Sequence, residues 1–502
     1  MKKRSRLLVF LLLAVLFTFI SPAALAAPPD KCSIGAKKYD DLSKAVRDIL
    51  SGKEKGDIVL NADCELTVNS ISAPVSIVGN AHTVHVKIPG NESFNIMSKL
   101  SFDNTVVSFD NPKAWSAMLG GSGVLELKNK SVCSFEKNGV YASPNAQIIL
   151  DASRMSFKNI LSTAMTAPEK AKLSIKNGSE FSISERTELT GITGFQVTVD
   201  TSTLSVTDCL KQGLVKCDLI LENGAKANIS RNATGFNLFS GNILTVGAGT
   251  TLTMDDNAFS AILVQGSGGV NVDNGGHFYC RGNGGRVNAS DEKDGGKAAI
   301  NIGWFSAEKI YNTGALNFSD GADVLLSDNY VRALSNYGKS YLGSGTVIQN
   351  NGRGDESENI SVLRIERGGG INNHGALALG ANVILCGNHA TVAGDDLSNA
   401  DGCPLSLSPA ALGQTLNDDE GHKITGWFED NEGSRWSAHK KPIFVQSKLP
   451  GQYTSALSLK AAHGFYPVTA DVGESIAVLS VVMLLSISLA YLVLKRLRRQ
   501  SL

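Results

Sequence analysis

A phrase recurs along this chain at a near-constant interval. It consists of glycine or another small residue, an alternating apolar run, a turn of Asn, Asp or Gly, a second alternating run and a closing asparagine. Copies run from Gly123 to Asn138, Cys217 to Asn232, Ile243 to Asn257, Gly269 to Asn283, Gly314 to Asn329 and Gly375 to Asn388. Where copies adjoin, the closing asparagines stand about 21 to 26 residues apart, a period that signals a solenoid. Each half-unit alternates with period two and is rich in Val, Ile, Leu and Phe, which is strand periodicity with one face buried. The turn residues tolerate left-handed backbone. Stacked coils place equivalent positions about 4.8 Å apart, so Asn138, Asn232, Asn257, Asn283, Asn329 and Asn388 are expected to form a hydrogen-bonded ladder. The expected fold is therefore all-β, a parallel β-helix over 57–403. Roughly 340 residues at about 22 per coil give about fifteen coils and a rod on the order of 70 Å long.

An open solenoid end exposes strand edges and core. Between Tyr39 and Leu50, apolar residues at Leu42, Ala45, Val46, Ile49 and Leu50 follow helical spacing, which predicts a short capping helix within an N-terminal cap spanning 27–56. Between Pro404 and Gly464 the period is lost, and a small β-rich module over 404–465 is expected. It carries Trp427 and Trp436, which either stack on sugar rings or are buried as the module covers the solenoid's end.

Both termini read as export signals. Lys2, Lys3, Arg4 and Arg6 precede an apolar core from Leu7 to Ile20, and small residues Ala24 and Ala26 place signal-peptide cleavage between Ala26 and Ala27, giving a leader over 1–26. The competing reading, a retained membrane helix, has an apolar core short for a span. At the other end, an apolar run over 476–494 is long enough to cross a bilayer as a transmembrane helix. The basic cluster Lys495, Arg496, Arg498 and Arg499 after it is expected to stay cytoplasmic. The expected location is thus extracellular, held at the cell wall or membrane.

Removing the four basic residues of the leader, the four of the tail, and Asp471 and Glu474 leaves 39 basic against 45 acidic residues, a net charge of about −6. That balance argues against nucleic acid as a partner. Eight cysteines are widely spread, with no CxxC spacing for zinc. In an exported chain Cys32–Cys64, Cys209–Cys217 and Cys386–Cys403 are disulfide candidates, and single buried thiols are the alternative. The sequons at Asn91, Asn177, Asn228, Asn232, Asn288, Asn317 and Asn359 read as ladder and turn residues.

Two family resemblances follow from quoted residues. Tyr466, Pro467, Thr469 and Ala470, followed by the apolar run and basic tail, resemble the LPxTG sorting signal of Gram-positive wall proteins, with Tyr466 where leucine is usual and Ala470 where glycine is. That resemblance implies a sorting signal over 466–502, sortase and peptidoglycan as partners, and cleavage between Thr469 and Ala470. The alternative is a plain single-span anchor that keeps its tail. Gly56 to Leu60 and Ile77 to Val84 resemble the opening of bacterial surface proteins with right-handed, pectate-lyase-like β-helices. Ile310 to Gly314, Leu334 to Gly338 and Gly368 to Gly375 resemble the GGGIYNxG repeats of adhesin-like proteins of gut Firmicutes, and more loosely the repeats of polymorphic outer-membrane proteins. The resemblance spans about Tyr39 to Asn399 and implies fold and surface placement more than ligand.

Chemistry has weaker signals. Enzymes on such scaffolds gather carboxylates on one face, and Asp255-Asp256, Asp395-Asp396 and Asp418-Asp419 are candidate pairs, each in a turn where Asp is expected for backbone reasons. The eight histidines lack metal-ligand spacing, and no GxSxG or Walker pattern occurs. No catalytic residue, metal or cofactor is assigned. The expected function is an adhesin-like binding module, a single copy presenting a rod to a glycan or protein of a host or bacterial surface. A polysaccharide lyase or hydrolase is the first alternative and a non-binding spacer the second. The irregular stretches Arg286–Lys297 and Gly352–Glu358 are expected to project as contact loops.

Overall fold

The computed structural model describes residues 30–88, 92–109, 115–239, 241–285, 298–305, 310–311, 313–353, 365–408, 423–433 and 451–464. The leader with Ala24, Ala26 and Ala27, the sorting motif with Tyr466, Pro467, Thr469 and Ala470, the apolar run 476–494, Trp436, Asp418-Asp419 and the stretch 286–297 lie outside the described residues. Among those described, no helix is long and apolar enough to cross a membrane.

The period-two runs form a right-handed-type parallel β-solenoid of about 12 turns. A coil carries three strands, as in Gly139–Ala142, Gln147–Asp151 and Arg154–Ile160. One strand of each coil enters a 13-stranded sheet from Cys64–Leu66 to Ile384–Cys386, every step parallel, and the other two enter a 30-stranded sheet. The turn number is below the expected fifteen because insertions consume chain. Asn283 and its stacking neighbour Asn329 are 46 residues apart, and Asn351 and Asn388 are 37 apart. The rod is accordingly about 60 Å long.

Register explains the core. Leu219, Leu244, Val270 and Leu316 stack in one inward column, Cα against Cα, and all are buried. Phe109, Phe135 and Phe157 stack in another, with ring centroids 4.6 and 4.7 Å apart and planes 12° and 8° from parallel. Phe181 sits out of that register, opposite Met155, and its ring tilts by 44° against Phe157. At one bend the same device repeats outside: Asn129, Asn177 and Asn223 take left-handed φ of 53°, 58° and 54°. Each donates its side-chain amide to an aspartate of the coil before, respectively Asp103, Asp151 and Asp200.

The stacking changes character at both ends. Strand Cys32–Ile34 pairs antiparallel with both Lys37–Tyr39 and Ile58–Leu60. The helix α1, Leu42–Leu50, starts at Asp41, whose carboxylate accepts the Ser43 N–H, and it buries Leu42, Ala45, Val46 and Ile49, packing on Cys64–Leu66, Cys32–Ile34, Lys37–Tyr39 and Val75–Val78. At the far end Leu397–Asn399 pairs antiparallel with Leu457–Gly464, and Leu405–Leu407 with Gly451–Tyr453. Lys423–Glu429 pairs antiparallel with Leu457–Gly464. The described strands of 404–465 therefore extend the solenoid's own sheet. Trp427, placed opposite Ala461, is only 3% exposed and packs among Leu379, Leu397 and Leu459. Its indole is core, which corrects the sugar-stacking reading for this residue.

All eight cysteines are free thiols, seven of them buried. Burial pushes the thiols of Cys32, Cys209 and Cys217 up to about 12.

Candidate binding surface

The asparagine column lies behind the surface of interest and sets its spacing. The backbone N–H and side-chain amide of Asn232 both donate to Oδ1 of Asn257, which treats Asn283 in the same way. The chain of bonds continues through Asn329, Asn351 and Asn388 and ends on Oδ1 of Asp396. Each asparagine also caps a carbonyl of the preceding coil, for example Val206 O from Asn232 and Met254 O from Asn283. Asn138 is buried in an earlier coil. Ile160, Thr187 and Cys209 stack along the column ahead of Asn232. Asn351 was missed because it closes no clean copy of the phrase. A second, shorter ladder runs from Asn336 through Asn373 to Asn399.

The residue before each ladder position is forced outward in a left-handed conformation. Asp208, Arg231, Asp256, Gly282 and Asp328 have φ between 56° and 64°. Of these, Asp208, Arg231, Asp256 and Gly282, with Arg186, line one wall of a groove of about 1050 Å³ that also carries Leu210, Phe259 and Tyr330. Leu210 is 51% and Tyr330 36% exposed. At Gly282 (φ 64°) a Cβ would stand 2.3 Å from Asp256 Oδ1, so a larger residue there would push the Asp256 carboxylate aside. The Tyr330 ring lies over Gly285, which also lines the groove.

A fixed ion pair organises the wall. Arg231 grips Asp208 through Nε and Nη2, both 2.9 Å from carboxylate oxygens, and this guanidinium holds the Asp208 carboxyl below its usual range. The strands feeding the same bend add a second set on the outer face of the 13-stranded sheet. Arg281 clasps Asp255 at 2.6 Å and stands over the Tyr279 ring, 5.9 Å from its centroid. The Tyr279 hydroxyl donates to Asp323 Oδ2 at 2.6 Å, and Nδ1 of His277 lies 2.8 Å from the same oxygen. That hydrogen bond to Asp323 pushes Tyr279 up to about 12. Asp323 itself is lowered: burial opposes this, but the hydrogen bonds from Tyr279 and His277 outweigh it.

The candidate carboxylate pairs fare differently. Asp255 is spent on Arg281, while Asp256 turns into the groove. Asp395 and Asp396 are 2% and 0% exposed and face inward at the C-terminal end. Among the described residues no group of three or more His, Cys, Asp or Glu is arranged to hold a metal ion. What the surface offers is a row of donors and acceptors with fixed geometry beside half-exposed apolar and aromatic faces.

These features define a parallel β-solenoid protein with a lateral groove. No protein-family model matches the chain, and neither a curated protein nor a solved structure matches it.

Proposed function

We propose that this chain is an exported, surface-anchored β-solenoid acting as an adhesin-like binding module, and that the groove between Arg231 and Tyr330 receives its ligand. The observation that carries the reading is the pairing of the pre-fixed Arg231–Asp208 group with exposed Leu210 and Tyr330 in one groove. Planar ion pairs hydrogen-bond hydroxyl or amide groups without paying for their own ordering, and aromatic faces accept sugar rings or apolar side chains. A glycan or protein of a host or bacterial surface fits that chemistry. Export, sortase attachment near Thr469 and closure of the rod's N-terminal end by α1 belong to the same proposal. They rest on the leader, the sorting-like motif and the buried apolar face of α1.

A polysaccharide lyase or hydrolase is the second reading, favoured by the exposed His277–Asp323 pair beside Tyr279. A glycan array combined with a polysaccharide-digestion screen separates the two: binding without turnover supports the module, and product release supports the enzyme.

A further inference from the structure

The described residues contain one buried lysine–carboxylate contact that the groove does not use. Lys460 Nζ lies 2.7 Å from Asp395 Oδ2, with side chains 14% and 2% exposed. Asp395 belongs to the chain entering the last coil, and Lys460 to the strand Leu457–Gly464 that pairs antiparallel with it, 65 residues later.

Each partner is held in place. Asp395 Oδ1 accepts the Ala390 N–H at 2.8 Å, and the Asp395 N–H donates to Asp430 Oδ2 at 2.8 Å. Asp430 is itself fully buried, and its N–H donates to Ser458 O. The neighbour Asp396 accepts the Ala461 N–H on Oδ2 at 2.6 Å, which fixes the strand position next to Lys460. Two reactive groups are thus held together by four backbone anchors, with Asp395 buried and Lys460 largely covered.

We propose that Lys460 and Asp395 condense to an intramolecular amide that staples the final strand to the solenoid. In the first step of the reaction a proton crosses the 2.7 Å contact from the ammonium to Asp395 Oδ2. This leaves a neutral amine facing a neutral acid. Nζ then adds to Cγ of Asp395. Oδ1 takes up the developing charge against the Ala390 N–H. The Cγ–Oδ2 bond breaks, and Oδ2 leaves as water. Both hydrogens of that water come from the lysine ammonium, the third stays on the amide nitrogen, and Oδ1 becomes the amide carbonyl. Ammonium plus carboxylate thus gives amide plus water, with no oxidant, cofactor or change in net charge. Enforced proximity supplies the driving geometry.

The position suits the bond. Leu457–Gly464 is the last described strand before the proposed anchor. On that reading, tension between anchor and ligand enters the rod through this strand, and the staple would sit four residues from its end.

The test is peptide mass spectrometry on the full chain, extracted folded, then denatured and digested. The expected result is a branched peptide joining the Asp395 and Lys460 segments, lighter than their sum by one water, about 18 Da. Lys460→Arg keeps the charge and the contact but cannot condense in this way, so it should fold, resist protease in its native state and yield two linear peptides. Recovery of two unmodified linear peptides from folded wild-type chain overturns the proposal, as does a branched peptide of the same mass deficit in Lys460→Arg.

Discussion

Asn257 directs two donors, its backbone N–H and its side-chain amide, at the single oxygen Oδ1 of Asn283, over 2.9 and 3.0 Å. Both groups are buried, so water cannot replace the acceptor. Asn283→Ala should therefore strand two donors and free the Met254 carbonyl, costing about 2–4 kcal/mol. Asn223→Ala, which removes an exposed amide from Asp200, should cost within about 1 kcal/mol. Urea midpoints of the two variants check the contrast.

Phe157 is fully buried and stacks on Phe135 at 4.7 Å. Phe157→Ala leaves a void between coils that neighbouring strands cannot close without breaking register. A loss of about 3–5 kcal/mol is expected in the same denaturant measurement.

The groove side chains should matter little to folding. Arg231 and Asp208 are 55% and 36% exposed, and such exposed pairs contribute about 0–1 kcal/mol. Tyr330→Ala and Arg231→Ala are each expected to keep the wild-type unfolding midpoint within about 1 kcal/mol while weakening ligand capture. A large loss of stability in either would mean that the groove is structural.

Acid sensitivity has two opposite components. Asp151 and Asp208 are lowered chiefly by hydrogen bonds from Asn177 and Arg231 respectively. Their folded-state values lie below the unfolded value, so their stabilisation is present above it and is lost as pH falls through the folded values. Asp396 behaves inversely: burial raises it from 3.8 to about 6. The folded chain then binds the extra proton between those values, and stability contributed at low pH, up to about 3 kcal/mol, is lost as pH rises through about 6. Stability measured from pH 4 to 7 should show that fall in wild type and not in Asp396→Asn. Below pH 4 both should weaken.

The alternation of apolar residues and the closing asparagines made strands, coil order and most of the ladder legible, because parallel stacking repeats a local pattern that each coil must satisfy alone. The groove was not legible. Asp208, Arg231 and Asp256 look like ordinary turn residues, and only stacking shows that their left-handed backbones put all three on one wall. The His277–Asp323 and Tyr279–Asp323 contacts join residues 46 and 44 positions apart across an insertion that breaks the period. Asp395-Asp396 looked like a turn pair in sequence. Burial and the Lys460 contact come from the antiparallel strand at the end, whose partner no repeat announces. For Trp427 the sequence left sugar stacking and burial at the solenoid's end both open, because the strand covering it lies outside the periodic region.

The most direct test of the central claim is a glycan and surface-protein array, with product release monitored in parallel, comparing the wild-type chain with Tyr330→Ala and Arg231→Ala. The predicted result is retained ligand without turnover in wild type and loss of that signal in both variants at unchanged stability. Product release by wild type, or equal binding by all three chains, would contradict the assignment of the groove as the binding site of a non-catalytic surface module.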